Sequence, residues 1–308
     1  MVELGCLAAF DYLHWLRTGA RAADLLNCHQ STISRDAKKC QRIFGVSLTK
    51  KSAEWRVSGD ITLLNAERHV HQKYRWDHDL PLRLDGQHWM RDSYSALALQ
   101  GWIKGNLNYL EYEQPRSLLK QHVIDGWLCS APDHPDDPEL TPIRLCSMPC
   151  QLTVKNCHPL AELGPSLTLD HVRAYPLLPL PVQSFPVFAS LIKSLGLDGQ
   201  GRGDARHSSL PVEDLLIGIA SPLTLPSYGP DHVVLPIELP IVFGDVLVVP
   251  AEFAEHPRTR ALVQELVEHL RVITAGMADI VIHEGVGTGT STGIAVGTPA
   301  RPRSCNRR

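Results

Sequence analysis

Residues 22–51, AADLLNCHQSTISRDAKKCQRIFGVSLTKK, constrain this chain more than any other stretch. Ala22 to Leu26 reads as a short helix, and NCHQ at residues 27–30 is polar and turn-prone. A second helix is predicted over residues 31–44. Its apolar positions Ile33, Ala37, Cys40 and Phe44 are spaced four, three and four apart, so they share one face. Ser34, Arg35, Lys38, Lys39 and Arg42 occupy the other face. Ser31 is placed to cap the helix by accepting a backbone N–H bond. Gly45 falls where a left-handed residue ends a helix. A short helix, a turn and a longer helix with a hydroxyl- and cation-rich face suit entry into a DNA major groove. An amphipathic helix pair with a solvated basic face would have the same spacing, so periodicity alone leaves both readings open.

The order of residues goes further. Ala22-Ala23, His29-Gln30, Ser34, Phe44-Gly45 and Leu48, followed by Lys50-Lys51, resemble the amino-terminal module of LysR-type transcriptional regulators. In that family the place of His29 usually holds Ser, and the place of Thr49 usually holds Phe. The resemblance extends to a Pro-Asp-Asp-Pro-x-Leu loop at 135–140, a His-Pro-Leu-Ala run at 158–161 and a Gly-Ile-Ala run at 218–220 with a proline soon after. It spans about residues 4–274 and is loosest between 162 and 240. It implies an α/β fold class: a winged helix-turn-helix domain, a linker helix and a two-lobed periplasmic-binding-protein-like α/β domain. It also implies a small-molecule effector between the lobes, double-stranded DNA as partner, pairing with further copies of the chain, and RNA polymerase as a further partner the family allows.

Taken in order, residues 4–16 form a first helix with Leu7, Phe10, Leu13 and Leu16 as an inward stripe. The head is expected to end at residue 59. Its wing, residues 46–59, is anchored by Leu48 and Val57, with Lys50, Lys51 and Arg56 able to meet phosphates. Residues 60–79 form a helical linker, which in the resembling family pairs with its twin; Leu64 is the position expected to carry that pairing. Residues 80–275 read as strands alternating with helices, hence a mostly parallel sheet. Lobe I takes residues 80–155 and 245–275, and lobe II residues 156–244. Strands are expected at 80–84, 106–112, 126–129, 150–155 and 175–180, with helices at 92–105, 117–124, 185–195, 211–217 and 257–274. The Gly-rich insert at 195–209 and the tail at 276–308 lack a core-forming pattern and read as disordered.

Charge is divided along the chain. Residues 1–76 hold 12 Lys and Arg against 7 Asp and Glu, and residues 77–308 hold 18 against 26, so a net +5 precedes a net −8 within an overall −3. A basic head on an acidic body suits local DNA contact. The eight cysteines stand singly, without a CxxC pair. Cys146, Cys150 and Cys157-His158 fall outside the usual structural zinc spacings, so neither a metal nor another cofactor is expected. Free thiols, a start with no basic n-region and no 18-residue apolar run lead to the expectation of a cytoplasmic protein with no membrane partner.

No enzyme signature stands out. No Gly-x-Ser-x-Gly elbow precedes a helix, no HExxH and no GxGxxG occur, and GVGTGTSTG near the carboxyl end is not followed by the Lys-Ser/Thr of a phosphate loop. His88 could serve as a general base but has no evident nucleophile beside it. No catalytic residue is therefore assigned. The DNA-contacting set is Ser31, Thr32, Ser34, Arg35, Lys38, Lys39, Arg42, Lys50 and Lys51. The carboxyl ends of strands line a two-lobed cleft, which assigns Gln87, His88, Trp89, Cys129 and Ser130 to the effector from lobe I and Ser208 and Ser209 from lobe II. Relatives place Ser or Thr where Trp89 stands; an indole there offers a stacking face or closes the cleft. The competing reading is a ligand-binding or scaffolding protein whose helix-turn-helix has lost its operator.

Overall fold

The computed structural model describes residues 4–51, 54–197 and 211–284. The chain opens with three helices, α1 (Leu4–Leu16), α2 (Gly19–Leu25) and α3 (Gln30–Phe44), followed by an antiparallel hairpin of β1 (Ser47–Lys51) and β2 (Glu54–Ser58). This is a winged helix-turn-helix. Gly45 ends α3 at φ +67°, as its position in the pattern suggested. The start of α3 differs from expectation: His29, not Ser31, is the N-cap, and its side chain makes no capping bond. Ser31 lies inside the first turn of the helix and is exposed. Leu48 pairs with Val57 across the hairpin, and the Gln41 side chain accepts a bond from the Leu48 amide at 2.9 Å, tying wing to helix.

Helix α1 is buried on both sides, which a single inward stripe did not foretell. Cys6, Leu7 and Phe10 pack with Ala37, Cys40, Val46, Leu48 and Leu64 to form the core of the head. Ala9, Tyr12, Trp15 and Leu16 face the other way. They join Tyr109, Leu118, Leu119, Val123, Ile124 and Trp127 of the body in one apolar cluster. A helix apolar around most of its circumference needs neighbours on more than one side.

Helix α4 (Thr62–Asp77) lies along the same junction. Its buried positions are Leu64, Arg68, Gln72, Arg75 and Trp76, spaced to share one face. The polar members of that face are paired. Arg68 Nε donates to Asp11 at 2.8 Å, and Gln72 and Arg75 both donate to the buried Asp125, each at 3.0 Å. Leu64 therefore belongs to the head's own core and is not a pairing residue, which corrects the sequence expectation. The apolar side chains that α4 leaves exposed are Leu63, Val70 and Tyr74.

The body has two lobes. In lobe I a seven-stranded sheet runs in the order β12 (Val281–Ile282), β7 (Cys146–Pro149), β11 (Val242–Pro250), β5 (Gly126–Ala131), β3 (Leu82–Gly86) and β4 (Trp102–Lys104), with β6 (Leu140–Arg144) also paired to β11. It is mixed rather than mostly parallel: β3 pairs in parallel with β4 and β5, whereas β11 pairs antiparallel with β5, β6 and β7. Helix α9 (Pro257–Ile273) buries Leu262, Leu266 and Leu270 in the cluster that also contains Leu84, Leu128 and Leu247 of the sheet. The short α5 (Arg91–Tyr94) and α6 (Glu113–Lys120) complete this lobe.

Lobe II holds a three-stranded antiparallel sheet, β10 (His232–Val234), β8 (Gln151–Lys155) and β9 (Gly218–Ala220), with α7 (Leu169–Arg173) and α8 (Pro186–Ser194). Strand β8 thus belongs to lobe II, so the first crossing falls near residue 150 rather than 155. Several expected elements shrink. The helix at 92–105 is only α5, because the Lys104 ammonium holds the carbonyls of Tyr94, Ser95 and Leu97 in a turn. The strand near 106 is displaced to β4, and Tyr109 makes only an isolated bridge to Gln87. Residues 175–180 contribute one bridge, Leu177 to Ile217, since Pro176, Pro179 and Pro181 have no amide to donate. The helix expected at 211–217 is one turn, Val212–Asp214. The start of the expected tail is built into lobe I: β12 pairs with β7, and the His283 amide donates to the Leu145 carbonyl at 2.9 Å. Residues 285–308 and most of the Gly-rich insert lie outside the described residues.

The head is fastened to lobe I by a buried carboxylate. Asp85 on β3 accepts from Trp15 Nε1 at 2.6 Å and from the amides of Gly86 and Leu107 at 2.8 and 2.9 Å. Burial pushes its carboxyl up to about 6 despite these donors. It lies directly over Gly105, where a Cβ would come within 1.9 Å of Asp85 Oδ2. Gly105→Ala is therefore expected to cost roughly 1–3 kcal/mol by overpacking. Urea unfolding of the full chain measures this, and an unchanged midpoint would contradict the close approach.

Candidate functional site

Two regions collect the residues singled out from sequence. The first is the exposed face of α3. Ser31, Ser34, Arg35, Lys38 and Arg42 line a shallow groove that continues past Gly45 to Ser47 at the foot of the wing. Arg35 is almost free: its nearest carboxylate is that of Asp36, at 3.6 Å, and 73% of its side chain is exposed. Thr32 and Lys39 are half-buried on the flank of the helix, outside this groove. Lys50 and Lys51 are exposed on β1, with the Lys50 ammonium 6.0 Å from the Trp55 ring. Trp55 in turn donates to the Arg17 carbonyl at 3.1 Å, fixing the wing against α1. All the residues lining the basic groove belong to the head, and none to the body.

The second region is a cavity of about 370 Å³ between the lobes. Of the expected effector residues, His88, Trp89 and Ser130 line it. Gln87 does not. It is fully buried within lobe I, and neither side-chain amide atom has a partner among the described residues. Cys129 does not either, because alternation along β5 turns it toward the head, into the cluster with Trp15 and Trp127. Ser208 and Ser209 lie outside the described residues.

Trp89 shapes the entrance without filling the space. Its indole Nε1 donates to Ser130 Oγ at 2.7 Å, and its ring centroid is 4.1 Å from that of Phe185 in lobe II. Behind it the wall is aromatic and apolar, from Phe188, Phe243, Tyr228, Met148 and Ile219. Two carboxyls stand in this wall. Asp133 is 1% exposed; its Oδ1 accepts from the amides of Val187 and Phe188 at 2.7 and 3.3 Å, and its Oδ2 has no partner among the described residues. Asp245 is 6% exposed and accepts from the Tyr94 hydroxyl at 2.7 Å. Burial pushes both carboxyls up to about 6, against the opposing pull of their hydrogen bonds.

The sequence reading missed both. Asp133 sits just before the Pro-Asp-Asp-Pro loop, but nothing local distinguishes it from the exposed Asp136 or from Asp137, which pairs with Arg116 and Lys120. Asp245 lies in the apolar run VFGDVLVVP, and an acid in a buried strand was a visible signal. Ser221, at the carboxyl end of β9, lines the cavity as the strand-end rule would suggest.

The cysteines do not converge. Cys146 and Cys150 are buried in the separate cores of lobes I and II, with thiols pushed up to about 12 by burial, and Cys157 is exposed. Among the described residues no helix is long and apolar enough to cross a membrane.

No family model matches the sequence, and no curated protein does. Solved structures do match in fold. A cysteine-to-aspartate variant of full-length OxyR from Pseudomonas aeruginosa superposes with a TM-score of 0.54 at 16% identity, over 88% of this chain and 98% of that one. The probable transcriptional regulator PA0477 from Pseudomonas aeruginosa gives 0.52 at 13% identity, over 86% and 96%. This chain shares the fold of both over most of its length.

The burial pattern is open to direct measurement. Thiol alkylation of the native protein, read by mass spectrometry, is expected to modify Cys157 rapidly and Cys40, Cys129, Cys146 and Cys150 only after denaturation. Fast native labelling of Cys146 or Cys150 would contradict the packing described.

Proposed function

We propose that this protein is a sequence-specific DNA-binding transcriptional regulator of the LysR type, governed by a small molecule held between its two lobes. The observation that carries the reading is the exposed groove of α3. One helix places two hydroxyls and three cations on an exposed face of the head, opposite the side that packs. Arg35 has the reach and the free donors for a bidentate contact with guanine, and Ser31 and Ser34 can bond bases or phosphates. Lys38, Arg42, Lys50 and Lys51 supply sequence-independent attraction to the backbone. Thr32 and Lys39, on the flank of α3, add contacts at the groove edge. The likeness in fold to OxyR and PA0477 supports the same role.

One such head covers too little DNA for high specificity, so pairing is part of the proposal. Leu63, Val70 and Tyr74 provide the exposed apolar surface for it on α4. RNA polymerase is the partner through which a bound regulator would act.

Selection from a random duplex library followed by binding at fixed salt tests the reading. Arg35→Ala is expected to cost roughly 1–3 kcal/mol on the selected site and much less on unrelated DNA. Lys50→Ala is expected to weaken both alike and to flatten the salt dependence. Failure to enrich any sequence would favour a ligand-binding protein with a degenerate head. For assembly, Val70→Asp is expected to lower the oligomer mass in sedimentation while the head stays folded; a wild-type chain that stays monomeric at all concentrations would refute the pairing.

A further inference from the structure

The cavity between the lobes has a charge character that its position alone does not dictate. Among the described residues lining it there is no Lys or Arg, while Asp92, Asp133 and Asp245 all contribute. Two of these acids are buried, and Asp133 Oδ2 has no hydrogen-bond partner among the described residues. A buried carboxylate oxygen without a partner is costly, and the cost is relieved when a donor or a cation reaches it.

The anion-binding position of the cavity is already taken. Helix α8 presents its first free amides to the cleft, and those are the groups that would hold the carboxylate or phosphate of a ligand. Asp133 bonds the amides of Val187 and Phe188 itself, from lobe I across to lobe II. An anionic ligand would have to displace this side chain and then lie against it and Asp245. A cation meets neither obstacle. The aromatic wall of Trp89, Phe185, Phe188, Phe243 and Tyr228 adds ring faces that attract positive charge and stack on a flat apolar body.

We propose that the cavity takes a small aromatic or apolar amine, with its ammonium directed at Asp133 Oδ2 and the carboxyl of Asp245. The proposal rests on the reading of the cavity as the effector site and names the chemical class of that effector. Asp133 then has two roles at once: one oxygen links lobe I to α8, and the other receives the ligand. Asp245, held by Tyr94, offers its second oxygen from the crossing strand β11.

Three probes of similar shape and different charge test this on the full-length protein: phenethylamine, 3-phenylpropionate and 2-phenylethanol. Thermal melting and isothermal titration at pH 7.5 are expected to show binding by the amine, with the other two at least tenfold weaker. Lowering the pH to 5.5 is expected to weaken the amine severalfold, because both carboxyls protonate around 6 and the attraction is lost with their charge. The other titratable groups on the wall are His88, Asp92 and Tyr228.

Asp133→Asn is expected to weaken the amine at least tenfold. Because that change can also loosen the contact with α8, Asp245→Asn serves as a second variant with the same expected loss. Equal or tighter binding of 3-phenylpropionate or 2-phenylethanol, lost on Ser221→Trp, would overturn the charge assignment and leave the cavity as a ligand site. No binding by any of the three would overturn both the amine and the effector reading of the cavity. Amine binding that survives both Asn variants would overturn the roles given to the two carboxyls.

Discussion

The structure turns on acids buried where three parts of the chain meet. Asp11 of α1 lies against Arg68 of α4 at 2.8 Å and Arg83 of β3 at 3.5 Å, and Asp125 takes Gln72, Arg75 and the Arg83 amide. None of these charges can be left alone: removing one partner of a buried pair costs about 3–5 kcal/mol, since the other stays desolvated. The apolar contacts between α1 and lobe I would be satisfied by many orientations of a greasy helix. The ion pairs and the Trp15–Asp85 bond accept only one. They fix the direction in which the head presents α3.

This arrangement also explains what α4 is for in a single chain. Its inward face buries Arg68, Gln72 and Arg75 between Leu64 and Trp76 while its outward face exposes Leu63, Val70 and Tyr74, a partial inversion of an ordinary amphipathic surface helix. The inversion works because the polar side chains find buried partners on α1 and lobe I. It leaves Leu63 and Val70 exposed on one strip beside Tyr74, whose ring stacks on His78.

Helix α3 was legible because its signals are local. Periodicity, a basic face and a terminal glycine all lie within residues 30–45, and each acts over a turn or two of helix. The docking of the head was not. Trp15 meets Asp85 seventy residues on, and Tyr109 reaches back to the Trp15 carbonyl over ninety-four. Only the ring of apolar residues around α1 hinted that it had two neighbours. Leu64 shows how a correct helix can carry a wrong role: the phase of residues 60–79 was readable, but which face met the head depended on partners far off in sequence. Within the cavity, Trp89, His88 and Ser130 followed from strand ends. Asp133 needed knowledge of which loop folds over α8, and Cys129 was misplaced by one step of β alternation.

That alternation has a mechanical side. Strand β5 turns Ser130 toward the cavity, where it holds the Trp89 indole, and turns Cys129 and Trp127 toward Trp15 of the head. The cavity wall and the seat of the amino-terminal head are therefore opposite surfaces of one sheet, separated by a single backbone. A close-packed sheet does not absorb strain locally. Ser130 under the cavity and Cys129 under the head are adjacent residues, so the two surfaces are one peptide unit apart.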